Sequence, residues 1–378
     1  MPESHLGSLI SSLWSIVHPA VDFRFSLAVG YGEHLYEVPR RLGVNAALDA
    51  AAAAVVEAYA IFCSRRAVTA RGLMLYSKAL RELRLSLDDA VVARSAETLC
   101  AVMVLLSLMD LGDGTWTGHC EGVMQLIRSR GPCDPHDNFE AQLVIIARAP
   151  ALLEGVFNDA IIISDDDRQV FDGTSGPMLH LISRTQQLLE RWCALDDKVA
   201  DDPSFLLDAR ECHHLSSDAI QEWRSTVQAI DAKLSAVDPD SIELIREHAQ
   251  VHRYFGLTIG VVIVCNCVIS AIDSARSEGL LRERKDLISE VLVLVDVVSG
   301  YGPMAATHVP MALAAAYIGA ADLGMQSRIE SALERHRKTG SPAPETARLI
   351  QNVAFATGKF RKRLESRGRR CGDLCEAR

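Results

Sequence analysis

Residues 72–132 read GLMLYSKALRELRLSLDDAVVARSAETLCAVMVLLSLMDLGDGTWTGHCEGVMQLIRSRGP, and this stretch decides the fold class. Leu73, Tyr76, Leu80, Leu83 and Leu87 recur at three- and four-residue steps, which predicts one face of an amphipathic helix. Asp88 and Asp89 end that segment, and Ser95 is placed to cap the next helix. From Ala96 to Met109 the residues are apolar almost all round, the pattern of a helix buried on several sides. Trp116, Cys120, Val123, Met124 and Ile127 make a third stripe. Arg128 and Arg130 complement the negative C-terminal end of that helix, and Gly131-Pro132 stops it.

Outward from this block the text stays helical. Helices are predicted over 46–63, 139–163 (broken at Pro150), 177–195, 218–237, 241–277, 280–298, 310–323, 325–338 and 346–367. Residues 164–176 and 196–217 read as polar loops, the second broken by Pro203. No stretch of alternating β-branched residues between turns argues for a sheet, and no repeat period argues for a regular solenoid. The expected fold is all-α, an irregular multi-helix array. Residues 1–45 form an N-terminal lead-in segment, 46–368 a single helical domain, and 369–378 a basic tail.

The 378-residue chain is 49% hydrophobic but only 6% aromatic, and Ala, Leu and Val suit helix-on-helix packing. Its formal charge of −10 argues against a nucleic-acid-coating surface. Ten cysteines without paired spacing, and an N-terminus with no Lys or Arg before Arg24, point to reduced thiols in an intracellular protein, cytoplasmic or nuclear. The apolar run 254–272 has the length of a membrane span, but Asn266 in its middle and charged text on both sides favour a core helix and no membrane.

The block also resembles a known family. A Tyr-x-Lys-Ala-Leu helix (Tyr76, Lys78, Ala79, Leu80), a fully apolar helix, and a Trp-x-x-His helix (Trp116, His119, Gly122) closing on Arg130-Gly131-Pro132 are similar to the regulatory, or middle-homology, domain of fungal zinc-cluster transcription factors. A weaker likeness runs from His308 to Ala321 and through the 328–333 helix. The resemblance covers roughly residues 45–365. It implies an all-helical fold. It does not imply DNA binding, which in that family belongs to a separate zinc module.

That module has no counterpart here. A binuclear zinc cluster needs six closely ordered thiolates with paired spacings. Cys265 and Cys267 stand one residue apart in apolar helix text, and Cys371 and Cys375 have no further partners. No structural zinc, and no cofactor, is expected, and direct DNA binding is not expected either. The cationic run from Lys359 to Arg370 reads as a solvated helix end, with nuclear import as its functional alternative; no aromatic residue interleaves to stack on bases. The acidic clusters 165–167 and 196–202 lie in loop text and lack the second motif of the helical magnesium–diphosphate cyclases. No nucleophile elbow, phosphate loop or dinucleotide fingerprint occurs.

What remains are polar and aromatic side chains scattered through helical text. His248 and His252, four apart on one helix, have a spacing that can hold a metal, but no third ligand is evident, so a core or pocket-facing pair is the plainer reading. With His119 they are the candidate catalytic residues. Trp116, His119, Tyr254, Asn266, Tyr301 and His308 are the candidate ligand-binding residues, and no metal ligand is assigned. Two functions fit. One is a stand-alone regulatory domain, linked to secondary metabolism, that binds an apolar small molecule or a protein partner (or a second copy) and does not read DNA itself. The other is a cofactor-free biosynthetic enzyme, an intramolecular cyclase such as a Diels-Alderase, using the same helical pocket through proximity and one or two hydrogen-bond donors.

Overall fold

The computed structural model describes residues 5–18, 23–64, 66–111, 119–130, 138–157, 177–194, 203–236, 241–272 and 277–340. Fourteen α-helices and no strand occur among the described residues, so the fold is all-α. The helices are α1 (His5–Val17), α2 (Leu27–Tyr31), α3 (Val38–Arg41), α4 (Ala46–Ser64), α5 (Ala70–Asp88), α6 (Ala96–Leu111), α7 (His119–Arg130) and α8 (Asn138–Phe157). They continue with α9 (Pro177–Ala194), α10 (Pro203–Ala236), α11 (Ile242–Ile272), α12 (Ser277–Ser299), α13 (Val309–Gly319) and α14 (Leu323–Gly340). The predicted loop at 164–176, the helix at 346–367 and the tail lie outside the described residues.

The chain forms two compact units. The first contains residues 1–151 with 302–307 and 337–344; the second contains 152–301 with 308–336 and 345–378. In the first unit α4 is central, with α1, α5 and α6 packed on it. Ala47, Ala50, Ala51 and Ala54 are buried along α4 and allow that close approach. Asn45 starts α4: its Oδ1 accepts the amides of Ala47 (2.9 Å) and Leu48 (3.1 Å). Thr69 caps α5 through the Gly72 amide at 2.9 Å. Ser95 caps α6 as expected, its hydroxyl accepting the Thr98 amide at 3.1 Å. Leu99, Cys100, Ala101, Val104 and Leu105 are all buried, so α6 is the helix enclosed on several sides that its sequence predicts.

Four readings of the sequence are refined or corrected. The leucines of α5 do not all face the core: Leu73, Leu80 and Leu87 are exposed, and Ala79 and Ser86 are buried. Alanine-rich α4 takes the small residues of α5, because small side chains let two helix axes approach. Arg130 stands in the last turn of α7, as expected, and does more than complement the helix end. It is buried, with Nη1 donating to the Ser95 carbonyl (2.6 Å) and Nη2 paired with Glu140, so it ties the end of α7 to the start of α6. Finally, the predicted polar loop at 196–217 is helix from Pro203 onward. Pro203 is the first residue of α10, where its missing N–H costs nothing. Pro150 likewise does not break α8.

The second unit is built on the pair α10 and α11. Their contacts step in opposite directions along the two helices. Cys212 meets Cys265, Trp223 meets Tyr254, and Asp231 meets His248. The two helices are therefore an antiparallel hairpin. α9, α12 and α13 cover the remaining sides of α11. Residues Ile259 to Ile269 of α11 are buried almost without exception. By length and composition α4 and α11 could each cross a bilayer, but 83% of the apolar window of α11 is buried inside the fold, as the core-helix reading expects.

Candidate functional site

Where α10 ends and α11 begins, the hairpin gathers four polar side chains from three elements. Asp231 lies near the end of α10, His248 and His252 near the start of α11, and Tyr301 just after α12. His248 and His252 are both buried. The four-residue spacing puts them on one face of α11, and their rings stack with centroids 4.1 Å apart.

Hydrogen bonds fix both imidazoles. His252 Nδ1 lies 3.0 Å from the His248 carbonyl. A carbonyl only accepts, so Nδ1 carries the proton, and in the neutral ring Nε2 holds a lone pair. His248 Nε2 lies 2.6 Å from Asp231 Oδ1, and its Nδ1 lies 2.9 Å from the Tyr301 hydroxyl. With the carboxylate accepting from Nε2–H, Nδ1 accepts from the tyrosine O–H. Tyr301, His248 and Asp231 form one hydrogen-bonded chain, with the His252 ring laid against its centre. The Asp231 side chain is 54% exposed and Tyr301 is half-buried, so the buried histidines lie between two ends that reach solvent.

The charges agree with that arrangement. Burial, then the neighbouring His248, holds His252 below the ordinary imidazole range, against smaller opposing effects of its carbonyl bond and Asp231. Burial and then the Asp231 carboxylate push the Tyr301 phenol above its usual value.

The other candidates fall elsewhere. Tyr254 sits on α11 against Trp223, ring centroids 5.8 Å apart, and its hydroxyl accepts from Gln250 at 3.5 Å. His308 is buried at the start of α13, and its ring lies so close to Gly256 that an added Cβ there would come within 3.2 Å of it. Gly256 is one helical turn beyond His252. Asn266 is fully buried deeper in α11, in the neighbourhood of Glu283. Glu283 is held below the usual carboxylate range chiefly by its hydrogen bond with His213 at 3.0 Å. Trp116 lies outside the described residues, as does the side chain of His119, whose backbone opens α7. A groove of about 360 Å³ between α12 and α14, lined by Ser289, Asp296, Arg328 and Arg335 among others, contains none of the candidates.

Asp231 is the residue that sequence reasoning missed. Its signal was the hairpin itself. In the sequence Pro239 stands between the two helices, and Asp231 and His248 lie almost equally far on either side of it, which sets them side by side in an antiparallel pair. Comparison with family models, with curated proteins and with solved structures finds no match.

Proposed function

We propose that the chain is an enzyme that promotes a proton-coupled rearrangement or cyclisation of a small organic molecule, with no cofactor required. The observation that carries this reading is the Tyr301–His248–Asp231 chain lying against His252. A base needs an available lone pair on an oriented ring, and His252 Nε2 has one because Nδ1 is tied to a carbonyl. An acid needs a proton that can be replaced: once His248 takes up a second proton from solvent past Asp231, its Nδ1–H donates to the Tyr301 oxygen, which frees the phenol O–H for a substrate and supplies the proton that replaces it. Holding both beside one substrate supplies orientation without an ion or prosthetic group.

The test is chemical. Small molecules that copurify with the chain from its source would be identified by native mass spectrometry and incubated with the purified protein. Conversion that is lost in His252→Gln and Tyr301→Phe supports the reading. Conversion unchanged in both variants overturns it.

A second reading, a regulatory helical domain that binds a small molecule or a partner protein, is favoured by Leu73, Leu80 and Leu87. They stand exposed at seven-residue spacing on α5, a stripe suited to another helix. Retention of the copurifying compound without chemical change, together with loss of a partner on Leu80→Lys, is the outcome that reading expects.

A further inference from the structure

We propose that Asp231, His248 and His252 form a binding site for a divalent transition-metal ion of the zinc, cobalt and nickel class. Each residue offers one ligand atom, and the three atoms lie within 4.8 Å of one another. Two imidazoles and one carboxylate are the ligand types that such ions favour; magnesium and calcium take all-oxygen sets.

The groups behind the ligands strengthen the case. A metal-binding histidine usually gives its second ring N–H to a carbonyl or other acceptor, which fixes the ring and the tautomer. His252 already does so, its Nδ1 donating to the His248 carbonyl at 3.0 Å and leaving Nε2 for the ion. His248 can do so at the existing 2.9 Å contact with Tyr301, the hydroxyl turning from donor to acceptor. Both rings are thus supported at Nδ1, and both can offer Nε2.

The ion replaces the proton shared by His248 Nε2 and Asp231 Oδ1. Those atoms are 2.6 Å apart, and ligands about 2.1 Å from a tetrahedral zinc stand about 3.4 Å apart. The carboxylate has room to make that adjustment because Asp231 is half-exposed, and the same opening gives the ion its way in. The ion with its carboxylate and two neutral imidazoles carries one net positive charge in a protein whose formal charge is −10, which favours uptake of the cation. Three protein ligands leave a fourth position for water or a small molecule. The site does not depend on the enzymatic reading; an ion there would occupy the lone pair that reading assigns to His252.

The full chain, freed of metal by a chelator, would be titrated with Co²⁺ and Zn²⁺, following heat and the visible Co²⁺ spectrum. One ion per chain is expected, with no thiolate charge-transfer band. Asp231→Asn and His252→Gln should each weaken binding at least about 100-fold, and Tyr301→Phe, which acts only through His248, about 10-fold. Asp231 is half-exposed, so its variant is expected to fold, and circular dichroism melting verifies all three. No stoichiometric uptake, uptake equal to wild type in Asp231→Asn, or a thiolate-type spectrum each overturns the proposal. The titration contains no organic substrate, so stoichiometric binding without conversion of any copurifying compound sinks the enzymatic reading alone, and conversion without binding sinks this one alone.

Discussion

The Tyr301 hydroxyl and His248 Nδ1 lie 2.9 Å apart, joining residues 53 positions distant in sequence. This bond connects the segment after α12 to the start of α11. Removing the hydroxyl leaves a buried ring nitrogen without its partner, at a cost of about 1–3 kcal/mol. Tyr301→Phe and His248→Ala, compared by urea denaturation with the double variant, should show an interaction energy of about 0.5–3 kcal/mol. Strict additivity would mean that the bond contributes nothing to the native state.

His34 gives the first unit a pH dependence. Its ring is buried, and burial lowers its pKa to about 4. Between the ordinary value of 6.5 and about 4 the unfolded chain binds a proton that the native chain does not. Stability therefore falls as the pH drops through that window and is fully present above it. The full effect is about 3 kcal/mol. His34→Leu should flatten this part of the curve of unfolding free energy against pH. An unchanged slope in the variant would place its origin elsewhere.

Arg130 and Arg128 are two residues apart on α7 and should behave oppositely. Arg130 is buried against the Ser95 carbonyl and Glu140, and its removal takes a charged partner from a carboxylate that is only 16% exposed. Arg130→Ala should cost about 3–5 kcal/mol. Arg128 is exposed, where solvent screens any ion pair it makes, and Arg128→Ala should cost no more than about 1 kcal/mol. Denaturant midpoints decide the matter, and equal losses would contradict the buried tie.

Two glycines should respond with opposite signs to alanine. A Cβ on Gly319 would lie 2.5 Å from Ile263 Cγ2, so Gly319→Ala should destabilise by about 1–3 kcal/mol. A Cβ on Gly122 would meet nothing within 4 Å, and Gly122 lies inside α7. Gly122→Ala should stabilise by about 0.5–1 kcal/mol, because the unfolded chain loses freedom. Shifts in melting temperature read both signs.

Several features were legible because their causes are local. The α6 cap at Ser95, the end of α5 at Asp88 and the enclosure of α6 follow from side chains acting within a few residues. The α5 stripe predicts a helix, and α5 is one, but the stripe does not say which face turns inward. Periodicity shows which residues share a face. It does not show that a neighbouring alanine-rich helix prefers Ala79 and Ser86 to the leucines beside them. Pro203 reads as a break in the sequence because a helix-starting proline and a loop proline look alike without their partners.

The sequence by itself determined the all-helical class, most helix positions, and the placement of His248 and His252 on one face, since each depends on backbone propensity and a 3.6-residue period. Only the tertiary structure decided that Asp231 and Tyr301 complete that pair. A hydrogen-bonded cluster drawn from three elements depends on how the helices cross and in which direction they run, and those are set by packing over the whole α10–α11 interface. In the first unit, tertiary packing likewise decided that Arg130 is a buried tie to Ser95 and Glu140. Burial is a property of the assembled neighbours, and no single helix carries it in its own sequence.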